Sequence, residues 1–239
     1  MPGYQTKQET VRIVGTAELQ IRSLLDLQQF SDPLQAAQRL GISSAAWPMF
    51  GVLWPSATHL AAHMAAHMAV HAQQPDQRFL EVGCGLALAS LVAHRRGADV
   101  TASDCHPLAA AFLAANLELN ALPPMKYRHG PWDAAQPAGP QDPAAVSGLY
   151  DVIMGSDVLY DRDASTALAG FIGRHAKPAS EVWIVDPDRG NRSTFTRLLA
   201  ALGYGLQERR LTRAASADAP AFKGRLLSYR RSGSAAAAA

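Results

Sequence analysis

Gly83 and Gly85 stand one residue apart, behind Glu81 and the apolar pair Phe79-Leu80 and ahead of a helical pattern. Glycine carries no Cβ, so a strand-to-helix turn built this way lets the backbone approach a ligand closely at a helix N-terminus. A Gly-x-Gly pair also marks plain turns, and its neighbours decide what it holds. Leu88 stands where the dinucleotide fingerprint G-x-G-x-x-G, or its alanine variant, needs a small residue. Glu81 stands where a dehydrogenase usually has an apolar one, so a nicotinamide cofactor is disfavoured. Asp104 closes the next strand pattern, a place from which a carboxylate accepts hydrogen bonds from both hydroxyls of a ribose. An adenosine-containing cofactor fits this set. The plainer alternative is that Glu81 and Asp104 cap helices or face water.

A second group follows a later strand, Gly155-Ser156-Asp157-Val158-Leu159-Tyr160. Ligands of open α/β sheets sit outside the carboxyl ends of the strands, which puts Asp157 and Tyr160 at the same crevice as the glycine loop. Tyr160 has the alternative of a core aromatic whose hydroxyl reaches the surface. Cys84 and Cys105 are the only cysteines and lack C-x-x-C spacing, so they read as small packing residues, with a redox switch the lesser alternative. His59, His63, His67 and His71 recur every four residues, which brings neighbouring imidazoles within reach of one another on a helix. No H-E-x-x-H accompanies them, so a partly exposed helix face is expected rather than a metal site. Met64 and Met68 read as packing residues, and Trp47 and Phe50 as either a lid or part of a core.

These groups need a frame. From residue 78 onward strand and helix patterns alternate, which argues for a parallel sheet with helices on both faces. Strands are expected over 78–82, 99–103, 126–128, 151–155 and 181–186, then over 205–211 and 225–230 as an antiparallel pair. Helices are expected over 86–96, 107–120, 163–175 and 192–202. Ahead of them, Val11, Ile13, Leu19 and Ile21 alternate around Gly15 as a hairpin, and 25–42 reads as helical with Ser31-Asp32-Pro33 as its start and Gly41 as its stop. Trp54-Pro55 opens a helix over 56–71. The division expected is an N-terminal extension over 1–55, a candidate lid, a catalytic domain over 56–231 and a low-complexity tail over 232–239. Residues 131–147 form a proline- and alanine-rich loop.

The 239 residues allow one sizeable α/β core, and 48% hydrophobic with 18% charged residues is ordinary for a folded domain. A formal charge of +2 without dense Lys/Arg runs gives no electrostatic footprint for nucleic acid. No signal peptide and no membrane-spanning run is evident, so a cytoplasmic protein without membrane partner is expected.

Glu81-Val82-Gly83-Cys84-Gly85 followed by Asp104 resembles the class I S-adenosylmethionine methyltransferases, whose first motif is E/D-x-G-x-G-x-G; Ala87 replaces its third glycine. Asp157-Val158-Leu159-Tyr160 resembles the D-x-x-Y motif of the seven-strand protein lysine methyltransferases, a group with members that modify chaperones, elongation factors and the electron-transfer flavoprotein β subunit. Trp54-Pro55 is similar to that group's pre-core tryptophan segment, and Trp132-Asp133 to the tryptophan beside the adenine. Asp104-Cys105-His106-Pro107 with Asn116 and Asn120 is similar to its second strand and following helix, and Asp186-Pro187-Asp188-Arg189 to the D-P-x-R stretch of the flavoprotein branch.

The resemblance implies a Rossmann-like seven-strand sheet and S-adenosylmethionine bound by Trp54, Glu81, Gly83, Cys84, Gly85, Asp104, Trp132, Ser156 and Asp157. It implies a protein substrate whose lysine meets Asp157 and Tyr160. Asp157 is expected to orient the lysine and Tyr160 to shape or hydrogen-bond its channel, neither acting as general base. The alternatives are a small-molecule methyltransferase, a non-catalytic S-adenosylmethionine-binding module and a nicotinamide oxidoreductase.

Overall fold

The computed structural model describes residues 3–71, 76–132, 145–215 and 221–233. Asp133, most of the proline-rich loop and most of the tail lie outside them. The chain opens with an antiparallel hairpin, β1 (Thr6–Val11) and β2 (Leu19–Leu24), paired from Thr6 with Leu24 to Val11 with Leu19. Gly15 turns it at φ 85°, and Leu19 and Ile21 point inward at alternate positions, both fully buried.

The long helix expected over 25–42 does not form; one turn, α1 (Ala36–Arg39), is all that does. Asp32 accepts the backbone N–H groups of Ala37 (3.2 Å) and Gln38 (2.9 Å), Gln35 takes φ 51°, and Gly41 ends the turn at φ 75°. The side chain offers the backbone a local alternative to earlier helix, as aspartate does in turns, and Pro33 has no N–H to give. Trp47–Gly51 forms a 3-10 turn with Trp47 and Phe50 buried, so these two belong to a core. Pro55, whose missing N–H costs nothing at a helix start, then opens α2 (Pro55–Val70).

The main sheet follows, from strands β3 (Arg78–Val82), β4 (Asp99–Asp104), β5 (Lys126–His129), β6 (Tyr150–Ser156), β7 (Ala176–Asp186), β8 (Gly205–Arg213) and β9 (Phe222–Arg231). Their spatial order is β5-β4-β3-β6-β7-β9-β8. The first five run parallel; β9 is antiparallel to β7 and β8 to β9. β7 starts five residues before the expected 181, and its pairing with β6 shifts register between Tyr150 and Val152. The connecting helices are α3 (Leu88–Arg95), α4 (Ala109–Leu119), α5 (Arg162–His175) and α6 (Arg192–Ala201); α3, α4 and α6 are somewhat shorter than expected and α5 starts one residue earlier.

Alternate strand residues feed two cores. Phe79, Val152, Met154, Trp183 and Val185 pack with α2, α3, α4 and the hairpin on one face. Leu80, Val82, Ile153, Val182 and Ile184 pack with α5 and α6 on the other. The hairpin is fastened by two amides spaced one helical turn apart. Asn116 and Asn120 of α4 accept the backbone N–H groups of Arg22 (2.7 Å) and Gln20 (2.9 Å) and donate to the carbonyls of the same residues. Two side chains thus do for the free edge of β2 what a neighbouring strand would do.

The histidine row of α2 lies against the sheet. His59 sits 4.4 Å from Phe222 between ring centroids, His63 4.7 Å and His67 4.8 Å from Trp183, and only His71 is exposed. Burial, then Arg209, holds the His63 imidazole down at about 4. Among the described residues no group of histidines, cysteines or carboxylates is arranged to hold a metal, and no helix is long and apolar enough to cross a membrane.

Candidate active site

The chain runs outward through β3, β4 and β5 and then returns to place β6 beside β3. That reversal opens a crevice at the carboxyl ends of β3 and β6, where open sheets bind ligands.

On one side lies the glycine loop. Gly83, Gly85 and Ala87 all take left-handed backbone, at φ 55°, 51° and 57°. The curl is closed by Ala87 N–H donating to the Cys84 carbonyl at 2.7 Å and moored to β4 by Cys84 N–H donating to the Ser103 carbonyl at 3.0 Å. A Cβ at Gly85 would lie 2.8 Å from the Phe50 carbonyl oxygen, and one at Gly83 would lie 3.0 Å from Val158 and 3.2 Å from the Trp132 ring. Ala87 accepts left-handed strain of about 1–2 kcal/mol that the motif's usual glycine avoids.

Asp104 is buried at the end of β4 and accepts the N–H groups of Gly85 (2.9 Å) and His106 (2.8 Å), one on each oxygen. Burial pushes its carboxyl up and these bonds pull it back. A carboxylate offers roughly four lone-pair positions, so each oxygen keeps one for a ribose hydroxyl. Glu81 has a different first duty. Its carboxylate accepts the Ser90 N–H at 2.7 Å, capping α3 at a distance where Ala87 has no side chain to do so. Burial, partly offset by the bonds with Ser90, pushes Glu81 up to about 7. Cys84 is buried, and burial with the Asp104 and Glu81 charges raises its thiol well above the usual range, which makes it a packing residue rather than a reactive one.

Trp132 lies over Gly83 and faces Tyr160 in a near-parallel pair, 6.4 Å between centroids at 29°. The two rings make one wall of the crevice. Tyr160 is 55% exposed; with a free-solution pKa of about 10 its phenol is a donor at neutral pH. Trp54 donates its indole N–H to the Met49 carbonyl at 2.8 Å, which fixes the 3-10 turn to α2. Phe50 is the residue of this segment that touches the loop, through its carbonyl, while its ring stacks on His106 at 3.7 Å. The sequence offered Phe50 as a lid or part of a core and His106 only within the stretch after the second strand; the stacking of the two beside the glycine loop was not foreseen.

Ser156 ends β6, half-buried. Asp157 follows in left-handed backbone (φ 57°), its N–H donating to the Val185 carbonyl at 2.8 Å. Such a conformation costs about 1–3 kcal/mol in a residue with a side chain and collects at functional sites. The Asp157 carboxylate is ion-paired. Arg189 grips both oxygens of Asp157, through Nε and, at 2.7 Å, through Nη2. Beside them Asp186 is buried at the end of β7 without a side-chain partner among the described residues; burial raises its pKa, and the backbone N–H groups of Arg189 and Asp188 pull it back in part. Asp188 is held by Arg192 (3.2 Å) and Arg225 (2.8 Å). Asp186, Asp188, Gly190, Arg192, Ser193 and Arg225 line a cleft of about 240 Å³.

The fold recurs in solved methyltransferases of low sequence identity. A precorrin-6y C5,15-methyltransferase from Geobacter metallireducens is 15% identical, with a TM-score of 0.54 over 71% of this chain and 86% of that one. The magnesium protoporphyrin IX methyltransferase of Synechocystis PCC 6803, solved with bound S-adenosylmethionine, is 18% identical, with a TM-score of 0.52 over 85% of this chain and 86% of that one. A methyltransferase from Pyrococcus furiosus is 16% identical, with a TM-score of 0.52 over 84% and 99%. No curated protein matches the chain. The family model for lysine methyltransferases matches residues 31–200, most of the described domain and both sides of the crevice. The chain therefore belongs to the lysine methyltransferase family and is an S-adenosylmethionine-dependent methyltransferase of the seven-strand Rossmann-like fold.

Proposed function

We propose that the protein methylates a lysine side chain of another protein, as the D-x-x-Y group does, with a relationship to the branch that acts on the electron-transfer flavoprotein β subunit. The observation that supports it most is the chain of contacts across the crevice. Gly83 of the cofactor loop touches Trp132 and Val158, Trp132 faces Tyr160, and Asp157 stands between Ser156 and Val158 at the end of β6.

The residues present fit S-adenosylmethionine. Gly83 and Gly85 bring backbone close in left-handed turns, Asp104 keeps acceptor capacity for a ribose, and Trp132 offers an aromatic face for adenine. Bound there, the cofactor would supply a methyl group on a sulfonium, open to direct attack at the methyl carbon with the thioether as leaving group. The protein's part is to hold donor and acceptor in line, which can lower a barrier by about 7–11 kcal/mol. A lysine must arrive as the neutral amine. With a reference pKa of about 10.4, deprotonation at pH 7 costs roughly 4.6 kcal/mol, and burial in the crevice reduces that cost. Asp157 orients the amine, Tyr160 lines its channel, and the proton leaves to solvent.

The test is to incubate the protein with methyl-labelled S-adenosylmethionine and host lysate, then hydrolyse the labelled species. Label in methyl-lysine of a protein is expected, and label in small metabolites would overturn the reading. Asp157→Asn is expected to slow transfer at least tenfold while calorimetry shows cofactor still binding; unchanged turnover would remove Asp157 from the acceptor side.

A further inference from the structure

A carboxylate that meets a lysine should hold it as the ammonium, the form that cannot attack. The fold answers this difficulty with Arg189. Its bidentate grip on Asp157 joins groups 32 residues apart in sequence. It is also held in place: the loop between β7 and α6 is tied to the Asp157 segment at both ends, by Asp157 N–H on the Val185 carbonyl and by the Asn191 amide on the Leu159 carbonyl at 3.0 Å. Asp157 shows only 9% of its side chain to solvent, while Arg189 covers it from the solvent side with 42% of its own exposed. The neighbouring cations are committed elsewhere, Arg192 and Arg225 to Asp188 and Glu208. The neighbouring acids are Asp186, buried without a side-chain partner, and Asp188. Tyr160 faces the crevice as a neutral phenol.

We propose that Arg189 is a positioning residue for the acceptor amine: by neutralising Asp157 it lets that carboxylate orient an incoming lysine without locking it in the charged form. The inference rests on the lysine reading above. The reaction it serves is balanced without further reactants. The lysine nitrogen lone pair forms the new N–C bond, the S–C bond breaks with its electrons remaining on sulfur, and the amine's proton passes to solvent.

Without Arg189, Asp157 faces the amine as a bare anion with Asp186 behind it. The apparent pKa governing the acceptor should then rise by about one unit or more, a tenfold loss in the neutral amine at pH 7.5. The measurement is the initial rate of label transfer from S-adenosylmethionine to lysine in host-lysate proteins between pH 6.5 and 10. For Arg189→Gln the expected result is a rate at least tenfold below wild type at pH 7.5 that recovers toward it by pH 10. Arg189→Lys should keep the wild-type profile. The double variant Asp157→Asn/Arg189→Gln, which removes the charge that needed neutralising, should return the profile of Arg189→Gln to the wild-type shape. A uniform loss across pH in Arg189→Gln, or a double variant with the shifted profile, would overturn the proposal while leaving the lysine reading intact. Cofactor binding by calorimetry shows that each variant is folded; if Arg189→Gln fails that check, the double variant's profile decides alone. Label on an acceptor other than lysine would remove the reading beneath it.

Discussion

At Gly85 a side chain is opposed twice, by left-handed backbone and by the Phe50 carbonyl, which cannot swing aside as a side-chain tip could. Gly85→Ala is expected to cost about 2–4 kcal/mol, read as a shift of the urea midpoint, with cofactor binding weakened in calorimetry; a cost under about 1 kcal/mol would show that the loop is free to move. Glu81 gives a pH signature. Its carboxyl titrates near 7 in the fold against 4.5 for the free group, so the folded form holds the proton longer. The sign follows: its contribution is whole below pH 4.5 and is lost as pH rises toward 7. Glu81→Gln keeps an acceptor for Ser90 N–H and removes that loss. The variant should gain on wild type between pH 5 and 8, by at most about 3 kcal/mol; thermal melts at the two pH values that show no relative gain would refute it. Gly83, Gly85, Asp104, Asp157 and Tyr160 were legible because spacing and strand ends fix their places. The contacts of Arg189 and Phe50 were not, although both residues stood out: the first reaches Asp157 across 32 positions, and the second meets Gly85 through a carbonyl, which leaves no trace in residue type.

The Asn116 and Asn120 amides decide how the hairpin docks. Asn116→Ala would leave the Arg22 N–H without an acceptor, a loss of about 1–3 kcal/mol for a buried donor. Faster hydrogen exchange at Arg22 and Gln20 is the specific sign; unchanged exchange would mean the hairpin is held by its apolar face alone. On α2 the sign of the pH effect is opposite to that of Glu81. His63 binds its proton near 4 in the fold against 6.5 when free, so stability falls as pH drops through that window. His63→Phe should lessen the acid loss by about 2 kcal/mol, discounted for the ring's part exposure, with melts at pH 7 and pH 4.5 as the check. Periodicity suits α5 and α6, which carry one apolar face, whereas α2 is marked by Pro55 at its start and α4 by an alanine- and leucine-rich run that is apolar nearly all round. Periodicity failed over 25–42, where apolar spacing suggested helix but Asp32, Pro33 and Gln35 supplied turn chemistry that outweighed it.

Across the whole molecule, the hairpin, the 3-10 turn, α2 and one face of the main sheet share a continuous apolar core. We expect the extension and the sheet to unfold together, in one calorimetric transition whose van't Hoff and calorimetric enthalpies agree; two transitions would show that the extension folds apart. Strand number and the late antiparallel pair could be read from alternation and turns. Strand order could not, because β3 and β6 are neighbours by a return of the chain that no local pattern encodes. The sheet's two outer strands carry a further meaning. β5 presents Lys126 and Arg128, and β8, almost wholly exposed, presents Glu208, Arg209, Arg210 and Arg213. Charged edges discourage another chain from adding as a further strand. Fibrillar stacking is thereby opposed at both rims, and under the proposed function a partner protein engages the loops above the strand ends instead.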